Sequence, residues 1–212
     1  MSINVTTFSN GKWRQRCYIL NNDSNEVLII DPGSQAEDII SIIDQNSWVP
    51  LAVFNTHAHY DHIGAISDLI DYYGIPIYLH GDDMDLLKRA NMYKLVFESS
   101  RSIRLPSQVL DLKDLNKKVN VGQFLFSWIP TPGHTKGGVC YAFPGCLFTG
   151  DTLLKNGQGR TDLPGGDANA LKASLETLST LPGEMAIYPG HGGTCSLSDA
   201  LSRAFGHTMA KP

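Results

Sequence analysis

The sequence has no cysteine pair of the C-x-x-C type; Cys17, Cys140, Cys146 and Cys195 stand well apart. A zinc knuckle or dithiol redox motif is therefore not encoded, and the four are expected as free, semi-buried thiols. No apolar run approaches the roughly 18 residues that cross a bilayer, so no membrane span is expected. Basic residues are in deficit, 17 Lys and Arg against 21 Asp and Glu. The net charge of −4 argues against a general nucleic-acid binder, which carries a basic excess. The stretch from Met1 to Phe8 has neither the basic nor the apolar segment of a secretory leader, so the expected compartment is the cytoplasm. Repeats, low-complexity tracts and Pro/Ser linkers are missing too. With 212 residues, 42% of them apolar, the chain can bury a proper core, and residues 1–212 are expected to form one domain.

Apolar runs at 17–20, 27–30, 51–55, 75–79, 124–129, 139–143, 146–149 and 185–188 read as strands. Ile39, Ile40, Ile42 and Ile43 predict a helix after the turn at Asp31, Pro32 and Gly33. Ala65, Ile66, Leu69, Ile70 and Tyr73 recur at helical spacing, as do Ala168, Leu171, Leu175 and Leu178. Residues 82–108 are mixed and read as helix plus loop; 197–205 leave room for a last helix. Strands interleaved with helices make an α/β protein whose sheets are covered by helices.

The densest chemistry lies in Thr56-His57-Ala58-His59-Tyr60-Asp61-His62, directly after the apolar run at 51–54. His57 and His59 lie two apart, so in extended backbone they point the same way and can grip one ion. Asp61 and His62 follow where the chain must turn and can face a second position. His and Asp offer the nitrogen and oxygen donors that zinc, iron and manganese accept. Three later segments place a metal-binding residue beside a Gly or Pro turn: Thr131-Pro132-Gly133-His134, Thr149-Gly150-Asp151 and Tyr188-Pro189-Gly190-His191. Each follows a strand-like run, the usual place for active-site groups. Of the remaining histidines, His80 ends a strand and is expected to be a structural or surface residue, while His207 sits in the polar tail and is expected at the surface.

From Asp31-Pro32-Gly33 to Gly192 the chain resembles the metallo-β-lactamase superfamily, and within it the glyoxalase II (hydroxyacylglutathione hydrolase) branch of short, single-domain bacterial type. That resemblance implies a four-layer αββα sandwich with metals at one edge of the two sheets. It implies that His57, His59 and His134 hold one ion, that Asp61, His62 and His191 hold a second, and that Asp151 bridges them. Asp31 matches an aspartate that supports the site without touching metal. Two divalent ions are implied, zinc first, with iron or manganese as alternatives. Asp61 would orient the shared water, whose pKa falls towards neutrality between two cations.

A thioester suits such equipment, because a thiol with a pKa near 8.5 leaves as thiolate without a strong acid. The resemblance therefore implies a metal-dependent thioester hydrolase acting on S-lactoylglutathione or a related hydroxyacyl thioester. Gly159-Arg160-Thr161-Asp162 lies near the loop that holds glutathione in the longer enzymes. Arg160 is thus a candidate for a substrate carboxylate, or else is braced by Asp162 or Asp167. The C-terminal helical domain that grips glutathione in those enzymes is expected to be absent here. The same H-x-H-x-D-H and G-R-T-D segments also resemble persulfide dioxygenases, which would use His57, His134 and Asp151 around one iron. Those enzymes usually carry Ala where Gly190 stands. A small-molecule substrate is expected; no nucleic-acid, membrane or protein partner is evident.

Overall fold

Period-two alternation explains the architecture. In the run Cys17-Tyr18-Ile19-Leu20, Cys17 and Ile19 enter one apolar layer and Tyr18 and Leu20 another, so the strand is buried on both faces. A computed structural model describes the backbone from Ile3 to Met209 and side chains as far as Gly206, so the expectation for His207 lies outside the described side chains. The first sheet runs β1 (Ile3–Asn10), β2 (Gln15–Asn22), β3 (Glu26–Ile30), β4 (Val49–Phe54), β5 (Ile77–Leu79) and β6 (Leu110–Asp111) in spatial order. It is antiparallel up to β3 and parallel beyond. The second sheet contains β7 (Lys118–Val121), β8 (Phe124–Pro130), β9 (Val139–Phe143) and β10 (Cys146–Gly150). After a small hairpin of β11 (Leu153–Leu154) and β12 (Gly157–Gln158), β13 (Ala186–Pro189) and β14 (Cys195–Ser196) complete it. Its spatial order is β14-β13-β10-β9-β8-β7, with only β10 and β13 parallel.

Three apolar layers separate four layers of structure. Between the sheets lie Leu28, Ile30, Phe54, Phe126, Tyr141 and Phe148, where aromatic rings meet edge to face. Outside the first sheet, Ile29 and Val53 pack on α1 (Ala36–Gln45), α2 (Tyr60–Ile63), α3 (Ile66–Tyr73) and α4 (Met84–Lys88) through Ile39, Ile43, Ile63, Leu69 and Leu87. The next helix, α5 (Ala90–Glu98), buries only Ala90 fully and leans over one end of the layer. Outside the second sheet, Leu147 and Ile187 meet α6 (Ala168–Leu178) and α7 (Leu197–Met209) through Leu175, Leu178, Leu197 and Ala200. This is the expected αββα order.

Local signals set the helix ends. Asp167 Oδ1 accepts hydrogen bonds from the amides of Asn169 (2.8 Å) and Ala170 (3.0 Å), which caps α6. Gly74, at φ +68°, closes α3 in the left-handed conformation that stops a helix. Where a single helix is expected after the histidine motif, the chain forms α2 and α3, so Asp61 and His62 stand on a helical turn. The four cysteines are free, with Cys17 and Cys140 buried. None of the described helices is long and apolar enough to cross a membrane.

Candidate metal centre

The candidate ligands leave the C-terminal ends of strands or their following turns, except Asp61 and His62, which stand on α2 just beyond. Asp31 follows β3, residues 55–59 follow β4, His134 follows β8, Asp151 follows β10 and His191 follows β13. Since β3 and β4 are parallel, their loops emerge at one edge; the same holds for β10 and β13. One antiparallel neighbour separates β8 from β10, so β8 points the same way. Cross-sheet bonds lock the two edges together. The Val139 amide donates to Thr56 O (2.9 Å), the Tyr141 hydroxyl to Asn55 O (2.7 Å) and the Tyr18 hydroxyl to Pro189 O (2.6 Å).

The edge gathers all seven residues expected as ligands. Ligand atoms of His57, His59 and His134 lie within 4.8 Å of one another, and so do those of Asp61, His62 and His191. Asp151 stands between the sets. Its Oδ2 is 3.6 Å from His134 Nε2 and 3.5 Å from His191 Nε2, while Oδ1 is 3.7 Å from His62 Nε2. Asp61 Oδ2 lies 3.3 Å from His191 Nε2 and 3.8 Å from His62 Nε2.

The outer hydrogen bonds fix which nitrogen faces inward. Thr56 Oγ1 spends its only proton on Asp31 Oδ2 (2.6 Å), so it accepts from His57 Nδ1 (3.0 Å). His62 Nδ1 donates to Asp31 Oδ2 (3.0 Å), His134 Nδ1 to Arg160 O (2.8 Å) and His191 Nδ1 to Trp13 O (3.1 Å). Four imidazoles therefore turn Nε2 towards the centre, while His59 turns Nδ1, 2.9 Å from His134 Nε2. His57 Nε2, His62 Nε2 and Asp151 Oδ1 are buried without a hydrogen-bond partner among the described residues. An orphaned buried polar atom costs about 1–3 kcal/mol. Lone pairs converging while outer acceptors hold the far nitrogens is the arrangement that a cation satisfies.

Charge points the same way. Burial and the surrounding imidazoles hold His57 well below its ordinary pKa, and burial with His134 pushes His59 down to about 3. Both are thus neutral donors. Around His62, burial opposes protonation, but Asp61, Asp31 and Asp151 outweigh it and lift the group to about 9. Burial likewise opposes His191, which the hydrogen bond to Asp61 and the charge of Asp151 lift. Burial would raise Asp61, yet His62 and His191 hold it well below the carboxylate range. The second set is rich in negative charge, and a divalent cation would supply the positive charge it attracts.

Asp31 lies close to His57 and His62. However, both its oxygens are already engaged: Oδ1 by the Thr56 amide (2.7 Å) and Asn55 Nδ2 (3.3 Å), Oδ2 by Thr56 and His62. Its acceptor capacity is thus taken up by the Asn55–Thr56 turn and by His62. Its φ of +48° is one that aspartate tolerates.

Asp83, Asn55 and Trp13 belong to the site without having been singled out in the sequence, and Thr56 stands in the histidine motif with no role read from it there. Asp83 accepts from the Ala58 amide (3.0 Å), Thr135 Oγ1 (2.9 Å) and the Gly137 amide (2.6 Å), bracing the loops of His57, His59 and His134. It sits in the mixed segment, where nothing local marks it. Arg160 borders the cleft over the centre, but both nitrogens of its fork bond Asp162, each at 2.7 Å. Its carbonyl, not its guanidinium, serves His134. His80 is buried beside Trp128 and belongs to neither ligand set.

Gly190 is required by close approach. A Cβ there would collide with Asp151 Oδ1 and come within 2.6 Å of His62 Cε1. Gly190→Ala is accordingly expected to displace Asp151 and His62 and to lower the amount of divalent metal bound per chain. Metal analysis of the purified variant beside the wild type checks this; unchanged metal content would contradict it.

The comparisons fit this geometry. Residues 10–191 match the model of the metallo-beta-lactamase superfamily. The chain is 35% identical over 193 residues to probable metallo-hydrolase YqgX of Bacillus subtilis, covering 85% of this chain and 90% of that protein. The crystal structure of BLEG-1 B3 metallo-beta-lactamase superposes with a TM-score of 0.84 at 34% identity, over 92% of this chain and 95% of that one. TTHA1623 in a di-iron-bound form also gives 0.84, at 31% identity, over 94% and 98% of the two chains. With its αββα sandwich and its histidine–aspartate edge, the chain belongs to the metallo-β-lactamase superfamily.

Proposed function

We propose that this chain is a two-metal hydrolase that cleaves a thioester. The observation that carries the reading is Asp151, whose two oxygens face His134, His191 and His62 from between two ligand sets. The probable metallo-hydrolase relative supports the reaction class. The di-iron form of TTHA1623 supports a pair of ions and keeps iron beside zinc and manganese as an occupant. His57, His59 and His134 would hold one ion, Asp61, His62 and His191 the other, with Asp151 shared. Bound divalent cations supply an acidified water and polarise a carbonyl oxygen.

The chain's own residues do the rest. Asp61, kept ionised by His62 and His191, accepts a hydrogen bond from the attacking water and aligns its lone pair. Asp31 holds His62 through Nδ1, and Trp13 O holds His191, so neither ring turns as charge develops. No acid need stand beside the leaving sulfur, because a thiolate departs unprotonated near neutral pH. The resemblance makes hydroxyacyl thioesters, S-lactoylglutathione among them, the compounds to assay.

Chelator-sensitive loss of thioester absorbance on a panel that includes S-D-lactoylglutathione tests the reading. No turnover of any member by metal-replete protein would overturn it. Likeness to BLEG-1 favours lactam hydrolysis as a second reading. Nitrocefin cleavage without thioester cleavage would establish that one instead. Persulfide oxidation by a single iron is disfavoured by Gly190, which makes room for the second ligand set that a one-iron site does not need.

A further inference from the structure

A cavity of about 290 Å³ opens over the candidate centre. Beyond the candidate ligands its wall is almost wholly apolar, formed by Trp13, Tyr60, Leu86, Tyr93, Phe97 and Leu163 among others. Two of these are large hydrophobic groups left open to solvent, Trp13 at 47% and Phe97 at 38% exposure. Aromatic groups exposed at the mouth of a cleft mark a surface that a ligand covers. The wall is also braced. The Trp13 indole donates to the Tyr60 hydroxyl (2.6 Å), and Lys12 reaches the Phe97 carbonyl (3.4 Å).

Charge is scarce in this wall. Apart from the candidate ligands its one ionised side chain is Arg160, and Asp162 already closes that fork with two bonds of 2.7 Å. Lys94, whose ammonium lies 5.5 Å from the Tyr60 ring, is paired with Glu98 at 2.6 Å. A glutathionyl group carries two carboxylates and an ammonium at neutral pH. Seated here it would lose hydration, while of the nearby cations Arg160 is engaged by Asp162 and Lys12 sits at the mouth on the Phe97 carbonyl. An aromatic or branched aliphatic group would instead bury its surface against Tyr93 and Phe97, four residues apart on one face of α5.

Resting on the hydrolase reading, we propose that this cleft takes an uncharged apolar substituent of the thioester, aromatic or branched aliphatic, and that glutathione conjugates are poor substrates. The test measures binding and turnover separately, on metal-replete protein. Isothermal titration compares S-benzyl-N-acetylcysteamine, an uncharged aromatic thioether, with S-methylglutathione. The benzyl probe is expected to bind about tenfold more tightly or better, in line with burial of one aromatic group. Tyr93→Ala and Phe97→Ala are each expected to weaken the benzyl probe several-fold with metal content unchanged.

Turnover of phenylacetyl-N-acetylcysteamine is expected to exceed that of S-D-lactoylglutathione in kcat/KM by about tenfold or more. S-Methylglutathione binding as tightly as the benzyl probe would overturn the proposal, as would benzyl affinity untouched by both variants. Benzyl binding with no thioester cleaved would uphold the apolar cleft and overturn the hydrolase reading alone.

Discussion

Asp151→Asn is expected to lower kcat/KM by about 10³-fold or more while leaving the far-ultraviolet circular dichroism unchanged. The carboxylate stands between the two ligand sets, with Oδ1 buried and unpartnered. An amide is close to isosteric, so the fold has little to lose. It offers one neutral oxygen in place of a carboxylate, so the anionic ligand shared between the two sets would be lost. Metal polarisation supplies several kcal/mol of transition-state stabilisation, and each ~1.4 kcal/mol is a factor of ten, hence the magnitude. His134→Ala, which removes a ligand from the first set, is expected to fall in the same range. Kinetics on metal-analysed protein decide the matter. Near wild-type turnover by Asp151→Asn at reduced metal content would remove Asp151 from the reaction.

The second large effect is on stability. Asp31→Ala removes one acceptor from each of four buried donors: the Thr56 amide, Thr56 Oγ1, Asn55 Nδ2 and His62 Nδ1. Removing one member of a buried charged network costs about 3–5 kcal/mol. At roughly 2–4 °C per kcal/mol for a chain of this size, Tm should fall by about 10 °C. The variant also frees the His62 ring and loosens Thr56, which holds His57, so metal affinity should drop about 10–100-fold. Thermal unfolding in chelator isolates the first effect, and competition with a metal indicator reads the second. A Tm within about 2 °C of wild type would show that the network around Asp31 is not structural.

The candidate ligands were legible in the sequence for a physical reason. His57 and His59 share a face because they are two apart, and the other segments announce themselves as a donor beside a glycine after an apolar run. The braces were not legible. Asp83 meets Ala58 and Gly137 across 25 and 54 residues, and the Trp13 carbonyl meets His191 across 178, distances over which no local pattern reports. Among the strands, the buried ones were readable and the edges were not. β1 interleaves Thr6, Thr7 and Ser9 with its apolar residues, and β6, β11, β12 and β14 are two residues long. The braced alternative for Arg160 was readable in advance, because Asp162 is only two residues away. Its carbonyl's hold on His134 needed the fold.

Metal counted on protein purified without chelator decides whether one centre holds two ions. Two divalent ions per chain are expected, with thioester turnover and both ions lost together on chelation and restored together on reloading. A single ion per chain supporting full turnover, with Asp61, His62 and His191 dispensable for it, would contradict a shared two-metal centre.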